Sequence, residues 1–235
     1  MGMLISAIQK FTMLDYPDHT ACIVFTPGCN FRCGYCHNPE FVLPEMIAEI
    51  RDSFIPEDVF FRFLEKRIGK LDGVVITGGE PTLMPDLERF IHQVQSMGFL
   101  VKLDSNGGRP EVLTKLFEKN MLDYVAMDVK TSLEKYPSLV GPRIDPQNIQ
   151  KSIALIMKSG VDYEFRTTVV KELHTNEVLE QMSDMMNGSK QFFLQNFRPQ
   201  KTLNPKFETY HSFSPSEMEN MKHIFCKNIE NVYVR

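Results

Sequence analysis

The chain has 235 residues, 43% of them apolar and 24% charged, with a formal net charge of −4. That length is normal for one α/β barrel-type domain and can bury a full core. The composition is that of an ordinary soluble globular protein, and the slight acidic surplus gives no support to a nucleic-acid partner.

The opening segment, MGMLISAIQKFTMLDYPDHT, lacks the basic start and long apolar run of a signal peptide and fits the myristoylation spelling poorly. No apolar run reaches membrane-spanning length. A cytoplasmic protein with no membrane partner is expected. In a reducing cytoplasm its five cysteines stay thiols, so a cluster of them points to metal or redox chemistry rather than to disulfides.

In chain order, residues 3–20 read as an added hairpin or edge strand. ACIVFT (21–26), GVVIT (73–77), FLVKLD (99–104), LDYVAMD (122–128), YEFRTTVV (163–170) and QFFLQNF (191–197) read as strands. They are apolar without clean alternation, as strands covered on both faces are. The gap at 27–72 carries a cysteine loop and at least one helix.

Amphipathic helices lie between the strands. PEDVFFRFLEKRIGKL (56–71) puts Phe60, Phe63, Leu64 and Ile68 on one stripe, and PDLERFIHQVQSMG (85–98) does so with Leu87, Phe90, Ile91 and Val94. Residues 109–120 and 145–160 each have a proline near the first turn, and Ser214 and Glu217 stand at capping-box spacing before the helix at 214–225. Strand and helix alternate with no composition break, which predicts one α/β domain with a parallel sheet over 1–235. Cys22 in its strand and Cys226 on its helix are expected to be buried small apolar side chains.

The unusual polar segments fall just after strands: TGGEPT after the second, DSNGG after the third, DVK after the fourth. Parallel α/β folds build their sites at the C-terminal ends of strands, from several loops at once.

The cysteine loop spans 27–40. Cys29, Cys33 and Cys36 follow C-x3-C-x2-C, three soft ligands suited to iron–sulfur or zinc. CGYCH spells a c-type haem attachment site, but haem leaves Cys29 unexplained and is matured outside the cytoplasm. Zinc would ask adjacent Cys36 and His37 to serve one tetrahedron. No fourth cysteine is near in sequence, although Cys22 or Cys226 could approach in the fold. A cubane with one open iron uses all three thiols, and an open iron admits an outside molecule.

With aromatic Tyr35 before the last cysteine, and TGGEP after the next strand, the pattern resembles the radical S-adenosylmethionine superfamily. The run LDYPDHTACIVFTPGCNFRCGYCHNPE is similar to the activating enzymes of glycyl radical enzymes, nearest to the branch that serves the anaerobic ribonucleoside-triphosphate reductase. The resemblance is strongest over 14–40 and 73–130. It implies a partial (β/α)6 TIM-like barrel and an oxidoreductase in which Cys29, Cys33 and Cys36 hold one 4Fe–4S cluster with one open iron. S-adenosylmethionine binds that iron and is reductively cleaved, and the 5′-deoxyadenosyl radical removes a hydrogen from a backbone glycine of the partner.

Further roles follow from the resemblance. Gly78, Gly79 and Glu80 approach the ligand closely, and Tyr35 lies along its adenine through its backbone. Asp104, Ser105, Asn106, Asp128 and Lys130 match segments that contact S-adenosylmethionine, the two aspartates helping to bind a monovalent cation. Arg166, inside an apolar strand, meets either the ligand or an internal partner such as Glu164 or an aspartate. His174 reads as a cap or surface residue, and His37 and Asn38 as neighbours of the cluster or shapers of the turn.

Only Cys226 follows residue 40, so there is no second cluster and a flavodoxin or ferredoxin must supply the electron. The partner is expected to be a large glycyl radical enzyme, the anaerobic ribonucleotide reductase. The alternatives are a pyruvate formate-lyase-type partner, a small molecule as in 7-carboxy-7-deazaguanine synthases, or a non-catalytic electron carrier or metal-binding module.

Overall fold

The structure is a computed structural model, and it describes residues 2–235. The chain forms two compact units. One holds the chain up to Asn30, with Asn38–Ser105 and Glu111–Val125; the other holds Phe31–His37, Asn106–Pro110 and Ala126–Arg235.

In the first unit, β1 (Ala7–Thr12) pairs antiparallel with β2 (Ala21–Thr26), which pairs parallel with β3 (Gly73–Gly78), and that with β4 (Leu100–Ser105). β1 is the expected edge strand. The expected α/β class and mostly parallel sheet are both found. Ile23 stands opposite Val75, and Val75 opposite Lys102, so these three side chains share one face. On that face Tyr16, Ala21, Ile23, Val75 and Tyr124 pack together.

The helices here are α1 (Pro44–Ile50), α2 (Glu57–Glu65), α3 (Leu87–Ser96) and most of α4 (Pro110–Glu118). Leu87, Phe90, Ile91 and Val94 of α3 are all buried, as their spacing predicts. In α2 the buried residues are Phe60, Phe61 and Leu64. Ile68 is 57% exposed, because α2 ends at Glu65 and the stripe does not continue through the turn that follows. Phe60 packs on Phe90 with ring centroids 5.4 Å apart.

β5 (Tyr124–Asp128) begins in the first unit and ends in the second. There β6 (Asp162–Val169), β7 (Gln191–Asn196) and β8 (Asn231–Val234) pair in parallel. β8 adds a strand beyond the six expected. Four residues are too few to display a period, and only Val232 among them is buried.

α5 (Tyr136–Val140), α6 (Pro146–Lys158), α7 (Asn176–Met185) and α8 (Pro215–Phe225) complete this unit. The expected capping box of α8 is present, Ser214 and Glu217 each satisfying the other's backbone N–H. Cys22 is fully buried as expected, and burial pushes its thiol up to about 12. Cys226 is exposed, against expectation, because α8 stops at Phe225 and leaves Cys226 as its C-terminal cap. Among the described residues no helix is long and apolar enough to cross a membrane.

Candidate functional site

In the first unit the TGGEP turn is locked onto the start of the cysteine loop. Gly79 N–H donates to the Thr26 carbonyl at 2.8 Å, and Glu80 N–H to the Gly28 carbonyl at 2.7 Å. A Cβ on Gly79 would lie 2.0 Å from the Gly28 oxygen, and one on Gly78, whose φ is +118°, would lie 2.4 Å from the Thr26 nitrogen. Both positions therefore demand glycine for backbone packing alone. Cys29, one residue beyond Gly28, is half-buried.

Glu80 is 1% exposed. Its Oε1 accepts from Thr82 Oγ1 at 2.6 Å and from Ser105 Oγ at 2.9 Å. Two of the polar segments are thus joined by one buried carboxylate. Asp104 Oδ1 lies 3.0 Å from Lys102 Nζ, an ammonium on a side chain only 1% exposed.

In the second unit the loop from Phe31 to His37 carries Cys33, buried, and Cys36, half-buried. It is held from three directions. Arg32 N–H donates to the Val140 carbonyl at 2.8 Å, while the Gly34 and Cys36 carbonyls accept from Asn204 N–H and Leu203 N–H, each at 2.9 Å. Cys36 N–H closes a turn onto the Cys33 carbonyl at 3.0 Å. His37 stacks on Phe197 with centroids 5.6 Å apart and donates through Nδ1 to the Lys201 carbonyl at 3.3 Å, so it shapes the turn. A cleft of about 260 Å³ opens here, lined among others by Arg32, Gly34, Thr131, Lys135, Asn204 and Phe207.

Behind the loop stands a charged group. Asp128 accepts from Arg166 Nε at 2.9 Å and from Lys130 Nζ at 3.3 Å. Burial pushes the Asp128 carboxyl up, but Arg166 and then Lys130 outweigh it and hold it at about 2. Arg166 thus has the internal aspartate partner; Glu164 lies farther, at 3.8 Å. Burial pulls Lys130 down, and the Asp128 carboxylate first among its neighbours more than reverses this.

The Lys130 backbone is fixed at both ends, its N–H donating to Tyr136 Oη at 2.9 Å and its carbonyl accepting from His174 Nε2 at 3.0 Å. His174 is therefore not a surface residue. It is 2% exposed, and its Nδ1 accepts from Val170 N–H at 2.9 Å, which sets the tautomer with the proton on Nε2. Burial lowers its pKa.

Burial raises the Cys33 thiol to about 11, with Lys130 opposing. Tyr35 is 5% exposed, and its buried hydroxyl has no hydrogen-bond partner among the described residues. In the next polar segment Asn106 Oδ1 accepts from Gly108 N–H at 2.8 Å, closing a turn, and Ser152 Oγ holds the Gly107 carbonyl at 2.7 Å.

Sequence reasoning missed Lys102, Gly34 and Phe207. Lys102 carried a signal, a lysine inside the apolar run FLVKLD. Gly34 is needed because a Cβ there would lie 2.2 Å from the Phe207 ring. Nothing in the sequence links residues so far apart.

The chemistry of the donor set fits an iron–sulfur cluster. None of the three cysteines is spent in a disulfide among the described residues. Among the described residues no three His, Cys, Asp or Glu side chains are grouped as around a single metal ion. A cluster spreads its cysteines over separate irons and does not require that grouping.

The Radical SAM superfamily model matches residues 23–185. A Methanocaldococcus jannaschii protein named as a glycyl-radical enzyme activating enzyme is 32% identical over 240 residues, covering 100% of this chain and 97% of its own. The pyruvate formate-lyase-activating enzyme of Staphylococcus aureus is 32% identical over 117 residues, 46% of this chain and 45% of its own.

Among solved structures, Streptococcus suis SuiB bound to S-adenosylmethionine superposes with a TM-score of 0.62 at 15% identity, over 89% of this chain and 46% of its own. A domain of the pyruvate-formate lyase-activating enzyme from Bacteroides vulgatus gives 0.56 at 13% identity, over 70% and 99%. These likenesses share the fold. The family match and the full-length relative go further: the chain belongs to the radical S-adenosylmethionine superfamily and, within it, to the glycyl-radical enzyme activating enzymes.

Proposed function

We propose that this activating enzyme serves the anaerobic ribonucleotide reductase, and that Cys29, Cys33 and Cys36 hold its 4Fe–4S cluster. The cysteine spacing carries the reading. It provides three thiolates and leaves the fourth position to a ligand. Family membership implies the cluster and S-adenosylmethionine; the cysteine assignment and the partner are our inference. Cys29, Cys33 and Cys36 would hold the cluster, which would supply the one electron needed for reductive cleavage of S-adenosylmethionine to methionine and the 5′-deoxyadenosyl group that takes hydrogen from the partner's glycine.

The chain's own residues prepare for this. Loading the cluster requires each thiol to lose its proton; burial opposes that loss at Cys33, and the Lys130 ammonium offsets part of the opposition. Tyr35, Gly78, Gly79, Glu80, Asp104, Ser105, Asn106, Asp128, Lys130 and Arg166 are the proposed surroundings of S-adenosylmethionine. Glu80, Ser105 and Asn106 act by fixing backbone, since their side chains bond within the protein. Lys130 offers a cation to the ligand's carboxylate while His174 and Tyr136 hold its backbone. The buried Tyr35 hydroxyl awaits a partner that the ligand can provide. The electron comes from a flavodoxin or ferredoxin, and the setting is an anaerobic cytoplasm.

The Staphylococcus aureus match favours a second reading, a partner of the pyruvate formate-lyase type. The test of the shared chemistry is anaerobic reconstitution with iron and sulfide, reduction, and chromatography for 5′-deoxyadenosine. The wild type is expected to form it, and Cys29→Ala, Cys33→Ala and Cys36→Ala are each expected to form none. Undiminished product from Cys33→Ala sinks the assignment.

A further inference from the structure

The family resemblance implies a monovalent cation held by Asp104 and Asp128, and the donor set does not fit one. Asp104 Oδ1 is 3.0 Å from Lys102 Nζ. Asp128 is bonded by Arg166 Nε at 2.9 Å and Lys130 Nζ at 3.3 Å. A metal ion approaching either carboxylate meets a fixed positive charge already on it. We propose that Lys102 is a built-in counter-ion that supplies the charge of a monovalent cation at Asp104, so that the enzyme binds S-adenosylmethionine without sodium or potassium.

The local structure carries this. Lys102 and Asp104 alternate along β4 and so share one face of the sheet. The Lys102 side chain is 1% exposed, and burying an ammonium is costly unless it is paired. Here it is met on three sides. Nζ donates to the Asp15 carbonyl at 2.6 Å, contacts Asp104, and lies 5.6 Å from the Tyr124 ring centroid. A lysine ammonium is a compact point charge with three donors, close in character to an alkali ion among oxygen ligands. An apolar residue would pack against Val75 and Tyr124 at less cost, so the charge itself accounts for a lysine at this position.

The inference rests on the reading that Asp104 borders the S-adenosylmethionine site. The test uses the reconstituted cluster-loaded protein at constant ionic strength in tetramethylammonium, sodium or potassium chloride. One readout is S-adenosylmethionine affinity and cleavage. The other is the sodium-23 line width, with potassium as competitor. The wild type is expected to vary by less than about twofold among the three salts and to give no competable sodium broadening.

Lys102→Ala removes the ammonium beside Asp104. It is expected to lose about tenfold in affinity in tetramethylammonium and to regain it in potassium, with sodium broadening appearing. A wild type that gains tenfold from sodium or potassium, or that broadens the sodium line, overturns the proposal. So does a folded Lys102→Ala that loses nothing. If that variant does not fold, the wild-type comparison decides. If the wild type neither binds nor cleaves S-adenosylmethionine, the functional reading fails, and the sodium line width still decides the counter-ion.

Discussion

Ser105 Oγ donates to Glu80 Oε1 at 2.9 Å. The same carboxylate oxygen accepts from Thr82 Oγ1 at 2.6 Å, so one buried side chain joins the ends of β3 and β4. Removing it takes one hydrogen-bond acceptor from each of two buried hydroxyls. Glu80→Ala is expected to lower stability by about 1–3 kcal/mol, and Glu80→Gln by less, because an amide oxygen still accepts. Urea unfolding of the cluster-free protein measures both. An unchanged midpoint for Glu80→Ala contradicts the anchoring role.

Gly34 faces the Phe207 ring, which also packs on Tyr35 and Tyr210, with centroids 6.2 and 4.6 Å away. A methyl at 34 must displace that ring. Gly34→Ala should cost about 1–3 kcal/mol and reduce iron bound per chain after reconstitution. Phe207→Ala relieves the clash, so the double variant should be more stable than the sum of the two single losses. Strict additivity would show that the two residues do not press on each other.

His174 makes stability depend on pH. Its folded pKa is lowered from 6.5 by burial, so the unfolded chain binds the proton more readily. Stability from the neutral imidazole is present above about 6.5 and falls as pH drops through that value toward the lower folded one. His174→Asn should flatten the fall between about pH 7.5 and 5.5. Urea midpoints across that range test it, and an equal slope in both proteins would remove His174 as the source.

Much of the fold was legible because strands buried on both faces read as plain apolar runs, as in ACIVFT, where all but Phe25 are buried. The α3 stripe and the α8 capping box were legible for the same reason: short-range spacing encodes them. Ile68 and Cys226 misled because each lies just past a helix end, where period no longer implies burial. At the site, the three cysteines and the motif segments stood out by spelling. Their supports did not. Lys102 on Asp104, Phe207 on Gly34 and His174 on Lys130 are tertiary pairings whose sequence separations carry no period.

Under the proposed function the chain delivers a radical to a glycine of the anaerobic reductase. This delivery is tested most directly by electron paramagnetic resonance of that reductase after anaerobic incubation with the reduced, cluster-loaded protein and S-adenosylmethionine. A glycyl radical doublet is expected on the reductase, absent with Cys33→Ala and absent from pyruvate formate-lyase under the same conditions. Formation of 5′-deoxyadenosine with no radical on the reductase would contradict the account.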